Sequence, residues 1–301
     1  MTDGQTKAKV ISFINFKGGV GKTSNTVNIA GELAIKGHRV LVIDMDPQAN
    51  SSIWLMGEDR FLAMYKKNAP KRQTVYHICL AIKKNQKYDI DSAIIKSVGN
   101  KDGIAPISLD LLPADYGMVD LEDQLTSVLD MGILQSIICN DNRGQSIIDR
   151  YEFVLIDCPP SLSIFARNAL RASDFYIIPT IPSFLSRVGM NVLSYKVNKI
   201  TANNKLNLKL LGIILNLGNP QTDAYKKAVG LIEKDLKKLI GDKIVDSKAE
   251  IFKTHIHNLV GITEVAEKNI TLAIAIGASY SKPKELYQNV TLNILSHPYI
   301  K

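Results

Sequence analysis

An α/β fold, with a mostly parallel twisted sheet and helices on both faces, is what this sequence predicts, and three observations carry it. Short apolar runs recur along the chain, segments of helical period separate most of them, and several runs end in a charged or polar residue. Short, wholly apolar strands are the mark of a sheet buried on both faces, as parallel sheets are. Polar residues at strand carboxyl ends stand where an open sheet of this kind gathers its ligand.

Taken in order, a strand is expected over Val10–Asn15, a helix over Asn25–Lys36 and a second strand over Val40–Ile43. Four more apolar runs read as strands: Ser108–Leu112, Phe153–Ile156, Phe175–Ile178 and Leu210–Leu215. The stretch Trp54–Lys101 is Lys-rich and less regular, and it contains the polar segment Lys66–Gln73. It reads as a helical insertion around 54–101 between the second and third strands. A weaker shift in composition, Ser279–Lys284, precedes what reads as a final helix. Residues 1–301 therefore read as a single domain, and a hydrophobic content of 46% suffices for a large core.

The charge balance is 37 Lys+Arg against 29 Asp+Glu, a net of +8. Such a chain suits a polyanionic partner, DNA or an acidic membrane surface; plain solubility accounts for the same balance. Cys79, Cys139 and Cys158 are odd in number and widely spaced, which fits a reducing cytoplasm and no disulfide framework. His255 and His257 have no third histidine or cysteine near them and read as incidental. The N-terminus carries no leader-like apolar core, and Leu272–Ala278 is too short to span a bilayer, so a soluble, cytoplasmic protein is expected.

The chemistry concentrates in three places. Between the first strand and the first helix stands Lys17-Gly18-Gly19-Val20-Gly21-Lys22-Thr23-Ser24. Strand, glycine-rich turn and helix start are the context of a phosphate-binding loop. The glycines let successive N–H groups point inward, and the helix start adds partial positive charge. Lys22 would reach the β- and γ-phosphates, and the Thr23 hydroxyl would ligate Mg²⁺. A glycine six residues before Lys22 is usual for such a loop, but that position is Phe16, and Lys17 stands beside it. A cation at the rim cannot easily fold back onto its own nucleotide, whereas it could reach one across a dimer face.

The second strand runs into Asp44-Met45-Asp46-Pro47-Gln48. Two carboxylates just past a buried strand are costly without a cation, and a Mg²⁺–phosphate site would explain them. Phe153-Val154-Leu155-Ile156 leads into Asp157, a Walker B pattern in which the carboxylate would hold Mg²⁺ through water. Pro159 and Pro160 stiffen the loop behind it, which could sense the γ-phosphate. Farther on, Lys227, Lys234 and Lys238 share one helical face at spacings of seven and four. They could neutralise DNA phosphates without reading bases; with Glu233, Asp235 and Asp242 among them, a solvated mixed-charge face is the other reading.

The lysine-bearing loop resembles the deviant Walker A family, K-G-G-x-G-K-[ST], which includes ParA, MinD and the nitrogenase iron protein. D-x-D-P-Q and D-x-P-P are similar to further motifs of ParA, and the resemblance covers most of the chain. It implies a P-loop NTPase fold and a slow ATPase using ATP and Mg²⁺. Residues 18–24 (Gly18, Gly19, Val20, Gly21, Lys22, Thr23, Ser24) would cradle the nucleotide. Asp46 would position the attacking water, Asp44 would support the magnesium shell, and Lys17 would contact the partner subunit's nucleotide. Asn216, at a strand end, would read the adenine edge as in MinD-like relatives, or it is a turn residue before Asn219-Pro220. ParA proteins often close a proline- and arginine-rich stretch over the base, and Ile244–Lys248 departs from it.

The function implied is a dimerising switch that binds nonspecific DNA in its ATP state for plasmid or chromosome partitioning, on the nucleoid, with a ParB-like protein stimulating hydrolysis. Only about nine residues precede the first strand, leaving no room for a helix-turn-helix module. The alternatives are a MinD-like membrane-associated regulator and a protein-cargo positioning ATPase. The ending Leu292–Lys301, with His297-Pro298, is unlike a membrane-binding amphipathic helix, so no membrane partner is expected.

Overall fold

Val40-Leu41-Val42-Ile43-Asp44 buries every residue, as does Phe153-Val154-Leu155-Ile156-Asp157. A strand apolar on both faces must be covered on both, and this requirement organises the chain. The computed structural model describes residues 7–64, 74–100, 108–124, 132–139, 146–257 and 260–301, so the polar stretch Lys66–Gln73 lies outside the described residues. In chain order the elements begin β1 (Lys9–Phe13), α1 (Lys22–Ile35), β2 (Val40–Asp44), α2 (Asn50–Met56), α3 (Glu58–Ala63), α4 (Val75–Lys83) and α5 (Ile90–Ala93). They continue β3 (Leu109–Leu112), α6 (Met118–Gln124), α7 (Ile133–Cys139), β4 (Phe153–Asp157), α8 (Ile164–Ala172), β5 (Phe175–Thr180) and α9 (Phe184–Asn203). The last are β6 (Lys209–Leu215), α10 (Asp223–Gly241), β7 (Glu250–Ile251), α11 (Val260–Glu267) and α12 (Ala278–Ser296).

The strands form one seven-stranded sheet in the order β3-β2-β4-β1-β5-β6-β7, and every strand pairing is parallel. From β1 the chain crosses to β2 on one side; from β4 it crosses back over β1 to β5. Right-handed crossovers in opposite directions send α1 and α8 to opposite faces. Their departure opens a crevice at the carboxyl ends of β1 and β4, the switch point where such sheets bind ligand. Contacts agree with this layering: α1 packs on α12, α7 on α8, and α9 on α10. Arg187 of α9 lies 3.3 Å from Asp235 of α10, which also accepts from Asn191 Nδ2 at 2.7 Å.

Two expectations are corrected. β7 is only two residues long and extends the sheet beyond the last expected strand; so short a piece leaves no periodic signal. Ser279–Lys284 does not precede the final helix but forms its first turns, with Pro283 inside α12. Pro283 has no N–H for the carbonyl of Ser279. Gly261 of α11 lies against that oxygen, where an added Cβ would stand 2.7 Å away. Close helix–helix packing at this point therefore accommodates a residue that reads as a helix stop in sequence.

Candidate nucleotide site

The phosphate loop leaves β1 at the crevice and turns directly into α1. Gly19 and Gly21 adopt φ of 70° and 89°, the left-handed region that only glycine enters without strain. At Gly21 space forbids a side chain as well, because a Cβ would lie 2.7 Å from Asn216 Nδ2. Gly21 is the N-cap of α1, no side chain caps the helix, and no acidic residue occupies its first turn. The first N–H groups are thereby kept for an anion.

Lys22 is 7% exposed, and its Nζ donates to the carbonyl of Lys17 at 3.2 Å. Burial pulls its pKa below the ordinary lysine range, against the opposing charges of Asp157 and Asp46. A bound polyphosphate would add negative charge at that ammonium and offset its desolvation. Thr23 Oγ1 donates to Asp157 Oδ2 at 2.7 Å, and Ser51 Oγ donates to the same oxygen at 2.6 Å. Asp157 Oδ1 is buried without a hydrogen-bond partner. A hydroxyl, a carboxylate and an orphaned buried carboxylate oxygen are a hard-oxygen set that fits Mg²⁺. Burial raises the Asp157 pKa, and the Ser51 and Thr23 hydrogen bonds counter that rise.

Asp44 and Asp157 are register partners across β2 and β4. Asp44 is fully buried and its oxygens are committed: Oδ2 accepts from Ser52 N at 2.8 Å and Ser52 Oγ at 2.7 Å, and Oδ1 from Asp46 N at 3.1 Å. Burial first, then the charge of Asp157, push its pKa up. Asp44 thus lies beneath the site and props its loop, whereas Asp46 reaches the cleft itself. Asp46 Oδ1 accepts from Gln48 N at 3.0 Å.

These residues line a cleft of about 540 Å³. Gly18, Gly19, Gly21, Lys22, Thr23, Ser24 and Asp46 form its polar end. Ile53, Trp54, Leu217, Ile256, Ile262 and Tyr287 form an apolar end. Asn216 joins the two. Its Nδ2 donates to the carbonyl of Val20 at 2.7 Å, bracing the phosphate loop, and its Oδ1 is buried and unpartnered. Lys17 is exposed at the rim, its N–H held by Asn15 Oδ1 at 3.1 Å.

One sequence expectation moves. Ile244–Ser247 lines a different hollow, with Tyr176, Leu208 and Lys209, and does not approach the phosphate loop. Ile256, Ile262 and Ala266 line the cleft with Trp54 instead. Ser51 and Ser52 were not singled out by sequence reasoning; two hydroxyls immediately after Asp44–Asn50, at the start of α2, were the available signal. Lys227, Lys234 and Lys238 lie on α10, all exposed and apart from this cleft.

Fold and site together define a P-loop nucleotide-binding protein. A family model described as AAA domain (AAA_31) matches residues 8–210. An uncharacterized protein of Methanocaldococcus jannaschii is 36% identical over 222 residues, covering 72% of this chain and 76% of its own. The chromosome-partitioning ATPase Soj of Treponema pallidum is 29% identical over 239 residues, 79% of this chain and 81% of its own. A plasmid partition protein of Borrelia burgdorferi, bound to AMPPNP, shares the fold with a TM-score of 0.67 at 23% identity, covering 96% of this chain and 99% of that one. The chain belongs to the AAA_31 family, the ParA/MinD type of P-loop ATPase.

Proposed function

We propose that this protein is an ATP-driven dimerising switch of a partitioning system, binding nonspecific DNA in its ATP state and answering to a hydrolysis-stimulating, ParB-like partner. The observation that carries the reading is the pairing of a complete phosphate loop with an exposed lysine, Lys17, at its rim. Lys22 lines the cleft, whereas Lys17 is exposed at its rim and is not part of the lining. Phe184 and Leu185, at the start of α9 at the same carboxyl end of the sheet, are 67% and 72% exposed and suit burial by a second copy.

Within one subunit the roles divide as follows. The loop N–H groups and Lys22 bind the phosphates. Thr23 and Asp157 are the residues that would hold Mg²⁺, which supplies charge neutralisation to the triphosphate when bound. Asp46 orients a water by accepting its hydrogen bond, with Asp44 and Gln48 fixing the loop. The apolar end receives the base, where Asn216 Oδ1 accepts from an exocyclic amine, as adenine offers and guanine at that edge does not. Residues 1–301 act as one ATPase domain. The nucleoid-bound state is cytoplasmic and relies on cationic α10.

Asp46→Ala tests the assignment of the water. The variant should bind an ATP analogue as tightly as the original protein and lose hydrolysis at least a hundredfold, leaving a persistent ATP-bound dimer. Phosphate release and nucleotide retention measured on the same sample decide. Turnover within threefold of the original protein would move the role away from Asp46.

A further inference from the structure

On the opposite side of the sheet from α1, a second cleft of about 410 Å³ lies between α8 and α9. Its lining is Leu162, Arg167, Arg171, Lys196, Lys199, Ile200, Asn203 and Asn204: four cations, two amides and no carboxylate. None of the four cations makes an ion pair among the described residues. Three of them have a fixed neighbour. Arg167 Nε donates to the carbonyl of Leu162 at 3.1 Å, and Arg171 Nη1 donates to Asn204 Oδ1 at 3.1 Å. Arg171 Nε is buried with no acceptor at all. Lys196 Nζ sits 5.3 Å from the centre of the Phe16 ring, next to Lys17.

We propose that the α8–α9 cleft is a second anion site, one that grips two consecutive phosphate groups of a phosphodiester or polyphosphate chain. Arg167 and Arg171 are four residues apart on one wall; Lys196 and Lys199 are three apart on the other. Each pair is therefore stacked along its helix at roughly 5–6 Å. Two facing pairs present a slot whose long direction follows the helices. Guanidinium groups match phosphate oxygens through paired N–H bonds, and the lysines add unshaped charge. Leu162 and Ile200 give an apolar floor for the sugar or base that such a chain carries. An extended acidic peptide is the poorer fit: it would need backbone partners, and both walls are helices whose backbone groups are already bonded internally. The assembly is distinct from the phosphate loop, which offers main-chain N–H groups at the start of α1, and it does not depend on what that loop holds. It does adjoin the loop after Asp157 through Leu162.

The experiment saturates the full-length protein with a non-hydrolysable ATP analogue, so that the phosphate loop is filled, and titrates three probes: tripolyphosphate, a random-sequence single strand and a random-sequence duplex. Arg171→Glu/Lys199→Glu is compared with the original protein. Because Arg171 is half-buried, Arg167→Ala/Lys196→Ala, both exposed, serves as a second variant, and analogue affinity reports that each variant is folded. Tripolyphosphate should bind one per chain and weaken at least tenfold in both variants. An equal loss with the duplex, together with a salt slope shallower by about 1.8 (two contacts at ~0.9 each), assigns the site to a nucleic-acid backbone. A loss confined to tripolyphosphate assigns it to a small phosphorylated ligand. Failure of all three probes to bind the original protein, or undiminished binding by both variants, overturns the proposal. Failure of the analogue itself to bind would instead strike the nucleotide reading.

Discussion

At the scale of single residues the site is organised by what is buried and what is left without a partner. Asp157 Oδ2 takes two hydroxyl donors while Oδ1 takes none. Ser51 and Thr23 together thereby leave Oδ1 as the oxygen available to the proposed Mg²⁺. Ser51→Ala should weaken the Mg²⁺ dependence of ATP-analogue binding by about tenfold, the equivalent of one charge-assisted hydrogen bond of ~1.4 kcal/mol, while Mg²⁺-free analogue binding stays the same. A fluorescent analogue titrated at several Mg²⁺ concentrations reads this directly. Glu32 is the other unusual residue. It is fully buried in α1, neither carboxylate oxygen has a hydrogen-bond partner, and burial pushes its pKa up to about 7 against the opposing charges of Lys36 and Lys284. A raised acid binds more protons folded than unfolded between pH 4.5 and 7, so stability falls as pH rises through that window. Glu32→Gln removes this titration. Urea melts at pH 5 and pH 8 should show the original protein losing more stability than the variant, with a difference of the order of 2 kcal/mol. Equal losses would mean that Glu32 is ionised at both pH values.

At the scale of elements, α10 is the one we propose for DNA. Lys227, Lys234 and Lys238 are exposed on it, while Ile232, Leu236 and Leu239 are buried beneath. Replacing the three lysines by glutamate should therefore spare folding and basal hydrolysis but abolish ATP-dependent shift of random-sequence duplex. Undiminished shift would relocate the DNA surface. Six strands, α1 and the loops after β1, β2 and β4 were legible in sequence because each is local: an apolar run, a period, a motif at a strand end. The remainder was not local. Asn216 braces Val20 from a strand 196 positions away. The apolar end of the cleft comes from Ile256, Ile262 and Tyr287, none of which stands in a motif. The final helix was placed too late because the composition shifts over Ser279–Lys284, a stretch that includes Pro283, and only packing against Gly261 shows how the helix accommodates that proline.

At the scale of the whole molecule, the parallel sheet puts the phosphate loop, Asp46 and Asp157 at the carboxyl ends of its inner strands, with Lys17, Phe184 and Leu185 exposed at the same end. Within one subunit Lys22 lines the cleft and Lys17 is exposed outside it, so the proposed account needs a second copy to bring Lys17 to the triphosphate. No helix among the described residues is long and apolar enough to cross a membrane. The central claim is that ATP drives two copies together through Lys17. Sedimentation of the original protein and of Lys17→Ala, each saturated with a non-hydrolysable ATP analogue and Mg²⁺, tests it most directly. The account predicts a dimer for the original protein and a monomer for Lys17→Ala that still binds the analogue. A Lys17→Ala protein that dimerises as the original does, or an original protein that stays monomeric with the analogue bound, would contradict it.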